Sequence, residues 1–370
     1  MARGLSLSGD HAVIAGTNEG ETEMTTTREP ARYGHIYPPD AAWLAKATPE
    51  VALEPDLPII DTHHHLWNRD DQRYLLHEFL ENINSGHNTI ATVFLECHSM
   101  YRADGPQEMR SVGETEFVAG ISAMSESGGY GPTRVAAGIV GSVDLTHDRA
   151  EQVLEAHIRA GGGRFRGVRH AAGWDSDPTI GNSRDMTGLG TYMRPDFRRG
   201  LAKMTALGLS LDAWLFHPQL ADVVDLARSM PASNIIMGHC GGPLGYGRYL
   251  GKQDEVFATW KAGVAELAKC PNVTMKLGGM MMRLAAYDYK ALEKPPTSQE
   301  IAAMWRPYIE TCIELFGAQR CLFESNFPVE KMGASWLVLW NAFKRIAAGA
   351  SADEKLALFS GTARRAYRLG

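Results

Sequence analysis

The densest chemistry in the sequence is the run Ile59-Ile60-Asp61-Thr62-His63-His64-His65. In a strand, successive side chains face opposite ways, so Asp61, His63 and His65 are expected on one face and His64 on the other. Two imidazoles two residues apart at a strand end can converge on one divalent cation or one substrate oxygen. Adjacent histidines also occur in loops with no such role, but this run directly follows the apolar Leu57-Pro58-Ile59-Ile60.

Other stretches supply matching chemistry. His239 closes Asn234-Ile235-Ile236-Met237-Gly238 and precedes Cys240-Gly241-Gly242-Pro243, glycines that suit a close-fitting pocket wall. Glu96 is a candidate general base or ligand, or equally a carboxylate that orients an imidazole, and His98, Tyr101 and Arg102 follow it. Arg169-His170 pairs a fixed cation with an imidazole; Arg169 suits a substrate carboxylate or an internal ion pair. His217 either lines the site or caps the helix that begins at Pro218. Lys276 lies inside an apolar run, where a charge is costly to bury unless paired, so it reads as a substrate grip or an inter-strand ion pair. Glu324 and Asn326 share a face in Phe323-Glu324-Ser325-Asn326-Phe327-Pro328. Glu114 and Glu116 lie too far along a helix to be first choices, and Met280-Met281-Met282 reads as an apolar wall.

These residues need a scaffold that brings distant stretches to one place. Strand-length apolar runs at 59–63, 89–97, 135–143, 165–169, 209–215, 234–238, 273–277 and 321–324 alternate with segments of helical period at 78–83, 112–124, 149–160, 195–207, 218–228, 254–269, 298–316, 334–347 and 352–368. Eight strands each followed by a helix is the count of a (β/α)8 TIM barrel. Doubly wound sheets alternate in the same way, yet no G-x-G-x-x-G follows the first strand, which ends in three histidines. Of 13 histidines, His63, His64, His65, His98, His170, His217 and His239 fall at or just past strand ends, which a parallel barrel gathers on one face. Long Gly-rich loops are expected at 173–193 and 241–253. Residues 1–54 are read as an N-terminal extension, its first thirty or so residues a flexible arm and 33–51 a cover with a short helix near 41–46, with the barrel at 55–370.

Composition narrows the partners. The 370 residues carry 37 Lys+Arg against 43 Asp+Glu, a net charge of −6, with no basic block. That argues against nucleic acid or an anionic membrane. No apolar run approaches the roughly 20 residues of a membrane span. Residues 1–27 lack a signal pattern, and five scattered cysteines without a C-x-x-C pair read as reduced thiols in a cytoplasmic protein. The expected partner is a small-molecule substrate, and a homo-oligomer stays open.

The strand-1 Asp61-Thr62-His63-His64-His65, the strand-6 His239-Cys-Gly-Gly-Pro and the strand-8 Glu324-Ser-Asn-Phe-Pro, in that order, resemble the amidohydrolase-related family from about residue 58 onward. More narrowly they resemble its branch of metal-dependent TIM-barrel hydrolases, which includes 2-pyrone-4,6-dicarboxylate, sulfomuconolactone and sugar lactonases. The resemblance implies a barrel with its site at the C-terminal strand ends and hydrolysis of a small cyclic ester or related acyl compound. His63 and His65 match the family's strand-1 pair, His239 its strand-6 histidine, and His217 falls near its strand-5 position. Strand 8 departs: the family's Asp, in a Gly-Ser-Asp-Trp-Pro-like segment, is replaced here by Asn326, and an amide cannot accept the proton. Either Glu324, Glu96 or a histidine then supplies the base, or the reaction differs from the family's usual one.

The resulting expectation is a lactone hydrolase acting on a small carboxylated intermediate of catabolism. His63, His65 and His239, with Glu96 or His217, hold a single divalent ion, zinc by donor type, or polarise the carbonyl without metal. Arg169, His170, His217, Lys276 and Tyr101 bind the substrate, and Trp67 and Trp174 form an apolar wall. Two other readings are a metal-dependent decarboxylase and a ligand-binding protein that has lost catalysis.

Overall fold

Short β-branched runs, too short for helices, pair side by side because each buries both faces. In the computed structural model, which describes residues 38–70, 72–181, 188–281 and 289–370, they become β1 (Ile59–His64), β4 (Thr89–Leu95), β5 (Arg134–Gly141), β6 (Phe165–Ala171), β7 (Ser210–Trp214), β8 (Asn234–Met237), β9 (Val273–Leu277) and β10 (Cys321–Phe323). A small antiparallel hairpin of β2 (Trp67–Arg69) and β3 (Gln72–Tyr74), unforeseen in the sequence, follows β1.

The eight main strands lie parallel in the order β1-β4-β5-β6-β7-β8-β9-β10. The two outer members of that row meet. His64 bridges Phe327, His65 N donates to Phe327 O at 2.7 Å, Asn326 N donates to His63 O at 2.8 Å and Thr62 Oγ1 donates to Phe323 O at 2.8 Å. The sheet thereby curls into a barrel.

Helices cover its outside: α2 (Leu76–Ile83), α3 (Val112–Glu126), α4 (Ala150–Ala160), α5 (Pro195–Ala206), α6 (Leu220–Ser229), α7 (Gln253–Ala268), α8 (Ser298–Phe316) and α9 (Trp336–Ile346). Pro195 opens α5 as expected, whereas Pro218 sits in a 3-10 turn, His217–Gln219, ahead of α6. The larger core lies between sheet and helices. A smaller one fills the barrel: Ile60, Val93, Val140 and Ile236 meet Tyr367 and Leu369 from the C-terminal end, which follows α10 (Ala352–Leu356) and α11 (Thr362–Ala366).

Of the N-terminal extension, residues 38–54 are described. Within them α1 (Ala41–Leu44) buries Trp43, whose Nε1 donates to Leu292 O at 2.9 Å. Glu50 accepts from Ser298 N at 2.7 Å and from Asn341 Nδ2 at 2.9 Å, and Lys344 Nζ donates to Leu53 O and Glu54 O, each at 2.8 Å. The expected arm at 1–32, Met282 of the methionine wall and 182–187 of the expected 173–193 loop lie outside the described residues. All five cysteines are free thiols. Among the described residues no helix is long and apolar enough to cross a membrane.

Candidate active site

Three residues from three strand ends converge inside the barrel mouth. Glu324, just past β10, is fully buried, and each of its carboxylate oxygens receives an imidazole N–H. His63 Nδ1 donates to Oε2 and His239 Nδ1 to Oε1, both at 2.7 Å, while His239 N adds a third bond to Oε1 at 2.8 Å. The His63 and His239 rings stack at 4.8 Å and 27°, so their Nε2 atoms both point away from the carboxylate. Trp214 meets His239 edge-on at 4.7 Å. The fit around His239 requires glycine at 279, where a Cβ would stand 1.8 Å from its Nδ1.

His65 is anchored in the same way, its Nδ1 donating to Leu95 O at 2.8 Å. Burial pushes His63 and His65 well below the usual imidazole range, so both are neutral. With Nδ1 protonated in each, the two Nε2 lone pairs face one another at 3.2 Å. Arg169 Nη1 lies 3.3 Å from His63 Nε2. Burial would raise the Glu324 carboxyl, but His239 and His63 on its oxygens hold it well below its ordinary value, as a carboxylate.

Facing lone pairs in a buried site call for a proton or a cation. His63, His239 and Glu324 each offer a donor atom, and these lie within 4.8 Å of one another. The facing Nε2 atoms of His63 and His65, each ring fixed through its Nδ1–H by an oxygen acceptor, form a donor pair suited to a divalent ion. The residues fit such a group.

The other sequence candidates separate by location. Glu96 is buried and accepts from Arg169 Nε at 2.7 Å, while Arg169 Nη2 donates to Glu96 O at 2.5 Å. His98, exposed, stands 3.8 Å from Glu96 Oε2 and rests against the Tyr101 ring at 5.2 Å. Trp67 is buried and stacks on His65 at 5.8 Å, so it backs the imidazole. Trp174 is half-buried, held through its backbone N by Gln219 Oε1 at 2.8 Å. His217 accepts from Leu244 N at 3.2 Å through Nδ1 and meets Tyr249 edge-on at 5.1 Å; burial lowers its pKa to about 4.

Four expectations change. β6 runs on to Ala171, so Arg169 and His170 alternate faces, and His170 turns outward onto Phe197 of α5 at 5.1 Å. Lys276 is completely enclosed, its Nζ on Asp212 Oδ1 at 2.9 Å and Thr62 O at 2.8 Å. Asn326 turns its amide to Glu330, donating from Nδ2 at 3.2 Å. Strict alternation fails along β1, because its register against β4 slips between Asp61 and His64. Asp61 instead accepts from Ser325 N at 2.7 Å and Ser325 Oγ at 2.8 Å, and burial raises its pKa to about 7.

Sequence reasoning missed Asp212 and Glu330 and set Glu114 aside. Asp212 carries the same signal as Lys276, a lone charge in an apolar strand. Glu114, in the first turn of α3, accepts from Cys97 N at 2.9 Å and Ser99 N at 2.7 Å, which shapes the loop bearing His98. Glu330 gives no local signal.

The amidohydrolase family model matches residues 60–369. Among curated relatives, the uncharacterized protein y4mH of Sinorhizobium fredii is 28% identical over 347 aligned positions, covering 85% of this chain and 99% of that one. L-fucono-1,5-lactonase of Burkholderia multivorans is 28% identical over 326 positions, covering 84% and 96%. A Burkholderia multivorans amidohydrolase crystallised with bound zinc superposes with a TM-score of 0.63 at 25% identity, over 84% of this chain and 99% of that one. With its eight-stranded barrel and a match spanning nearly all of it, the chain belongs to the amidohydrolase family of hydrolases.

Proposed function

We propose that this hydrolase opens lactones, using His63, His65, His239 and Glu324. The observation that carries the reading is the shared anchoring of three imidazoles, each with Nδ1–H on an oxygen, which leaves Nε2 basic. A histidine held by a carboxylate is a suitable general base, because the carboxylate stabilises the imidazolium that forms. Glu324 itself is a poor base, since both oxygens are already occupied by N–H donors. Glu96 is likewise engaged by Arg169.

In this reading a water attacks the lactone carbonyl and gives its proton to an Nε2 of the pair on Glu324. The ring C–O bond then breaks, and the departing alkoxide recovers that proton, giving a hydroxy acid. Arg169 Nη1 lies where it can donate to oxygen charge developing beside His63. When bound, a divalent ion, zinc in our reading, polarises the carbonyl and acidifies water; the facing Nε2 atoms of His63 and His65 would hold it, with His239 left to take the proton.

The expectation of an acidic substrate rested on Arg169, Lys276 and Tyr101. Lys276 is enclosed and the charge of Arg169 is met by Glu96, so uncharged sugar-type lactones are included in the class. The lactonase name of the Burkholderia multivorans relative supports that widening.

The test is acid release from a panel of sugar lactones and 2-pyrone-4,6-dicarboxylate, before and after chelation, with elemental analysis of the protein. His63→Ala and His239→Ala should each lower kcat by about 10²–10⁴-fold or more while the circular dichroism spectrum holds. Full turnover in both variants overturns these roles. Release of carbon dioxide in place of ring opening would instead identify a decarboxylase.

A further inference from the structure

Beneath the histidines the barrel interior holds a group of charges that the reaction above does not use. Lys276 Nζ donates to Asp212 Oδ1 at 2.9 Å and to Thr62 O at 2.8 Å, and stands 3.8 Å from Glu324 Oε2. Tyr367 donates from its hydroxyl to the same Asp212 oxygen at 2.6 Å, and its ring lies 5.4 Å from the Lys276 nitrogen. Lys276 and Glu324 have no exposed surface, and Asp212 has 3%.

Barrel interiors are ordinarily filled by branched apolar side chains in layers. Replacing a buried ion pair by apolar residues of similar volume is often neutral or stabilising. Stability alone therefore does not account for an ammonium and two carboxylates in this layer. Nor can the ammonium reach a substrate. Two of its three N–H bonds are taken by Asp212 and Thr62, and the remaining side faces the Glu324 oxygen that also receives His63.

We propose that Lys276 is a positioning residue that acts through Glu324. It ties β7 through Asp212 and the β1 backbone through Thr62 to one point, and from there offers a counter-charge to Glu324. That fixes the height of the carboxylate relative to His63 and His239, and so the direction in which both Nε2 atoms present their lone pairs. Asp212 and Tyr367 hold the ammonium in place from below. The inference rests on the reading of Glu324 as the carboxylate that orients the two histidines.

The test compares Lys276→Met with the double variant Lys276→Met/Asp212→Asn. The single variant strands the Asp212 carboxylate and is expected to lose thermal stability as well as activity. The double variant leaves no unpaired charge at Asp212, so its melting midpoint should return towards that of the parent. Its kcat should stay about 10–100-fold down, the usual cost of losing a group that orients active-site ligands, with KM little changed. A second readout needs no turnover. The imidazole Nδ1–H resonances of His63 and His239, assigned by their loss in His63→Ala and His239→Ala, should shift or broaden in the double variant. Recovery of both midpoint and kcat, or unshifted resonances, overturns the proposal and leaves Lys276 as a partner for Asp212 alone. Should the parent hydrolyse no lactone, the functional reading fails and the resonances alone decide the role of Lys276.

Discussion

Glu324 is the residue on which the site's geometry turns. Its ionised carboxylate accepts from both imidazoles and from the His239 backbone N–H, so each bond is charge-assisted. Glu324→Gln keeps the shape but offers one oxygen and one amide where two acceptors are needed. One histidine must then reverse its tautomer or lose its partner, turning a protonated nitrogen towards the reacting atoms. We expect kcat to fall by about 10²–10⁴-fold, measured by steady-state hydrolysis, with little change in melting midpoint. A drop in midpoint that matches the loss of activity would mean the carboxylate is chiefly structural.

At the scale of single elements, the loops past β9 and β10 are joined by Glu330. One of its oxygens accepts from Asn326 Nδ2 at 3.2 Å and the other from Met281 N at 3.1 Å. Burial raises this carboxyl to about 8 from an ordinary 4.5. The folded protein thus binds the proton more tightly than the unfolded chain, and this group's contribution to stability declines as pH rises from about 4.5 to 8. Glu330→Gln removes that decline, so the midpoint of the variant relative to the parent should climb between pH 5 and pH 8 by differential scanning calorimetry. A constant offset over that range would show that Glu330 is ionised when folded.

Much of this level was legible in advance. Apolar runs between Gly- and Pro-marked breaks located all eight barrel strands, because burial on both faces leaves a continuous apolar signature. The histidine positions followed from strand ends. What the sequence did not disclose were choices between faces and partners. β6 runs two residues beyond the expected 165–169, which turned His170 outward, and a register slip in β1 redirected Asp61. Lys276 was recognised as needing a partner, yet nothing local named Asp212, which is brought to it only by the closed sheet.

For the whole molecule, residues 38–54 run from the buried Trp43 across α8 and α9, and Lys344 is their chief fastening. Its Nζ donates to Leu53 O, Glu54 O and, at 3.0 Å, His87 Nδ1. Lys344→Met would take the donor from the carbonyls of half-buried Leu53 and exposed Glu54, at a cost of about 0.5–1.5 kcal/mol, and chemical denaturation should detect it with activity per folded molecule preserved. A midpoint equal to the parent's would show that this segment adds nothing to stability.

The seam between β1 and β10 has a consequence of its own. His63 and Glu324, bonded across that seam, are 261 positions apart in the chain, and the backbone bonds that shut the ring flank both of them. No half of the chain expressed alone contains the proposed catalytic group, and a ring left ajar has none either. Turnover therefore doubles as a gauge of closure: during refolding it should return only once the first and last staves have met, however early the helices form.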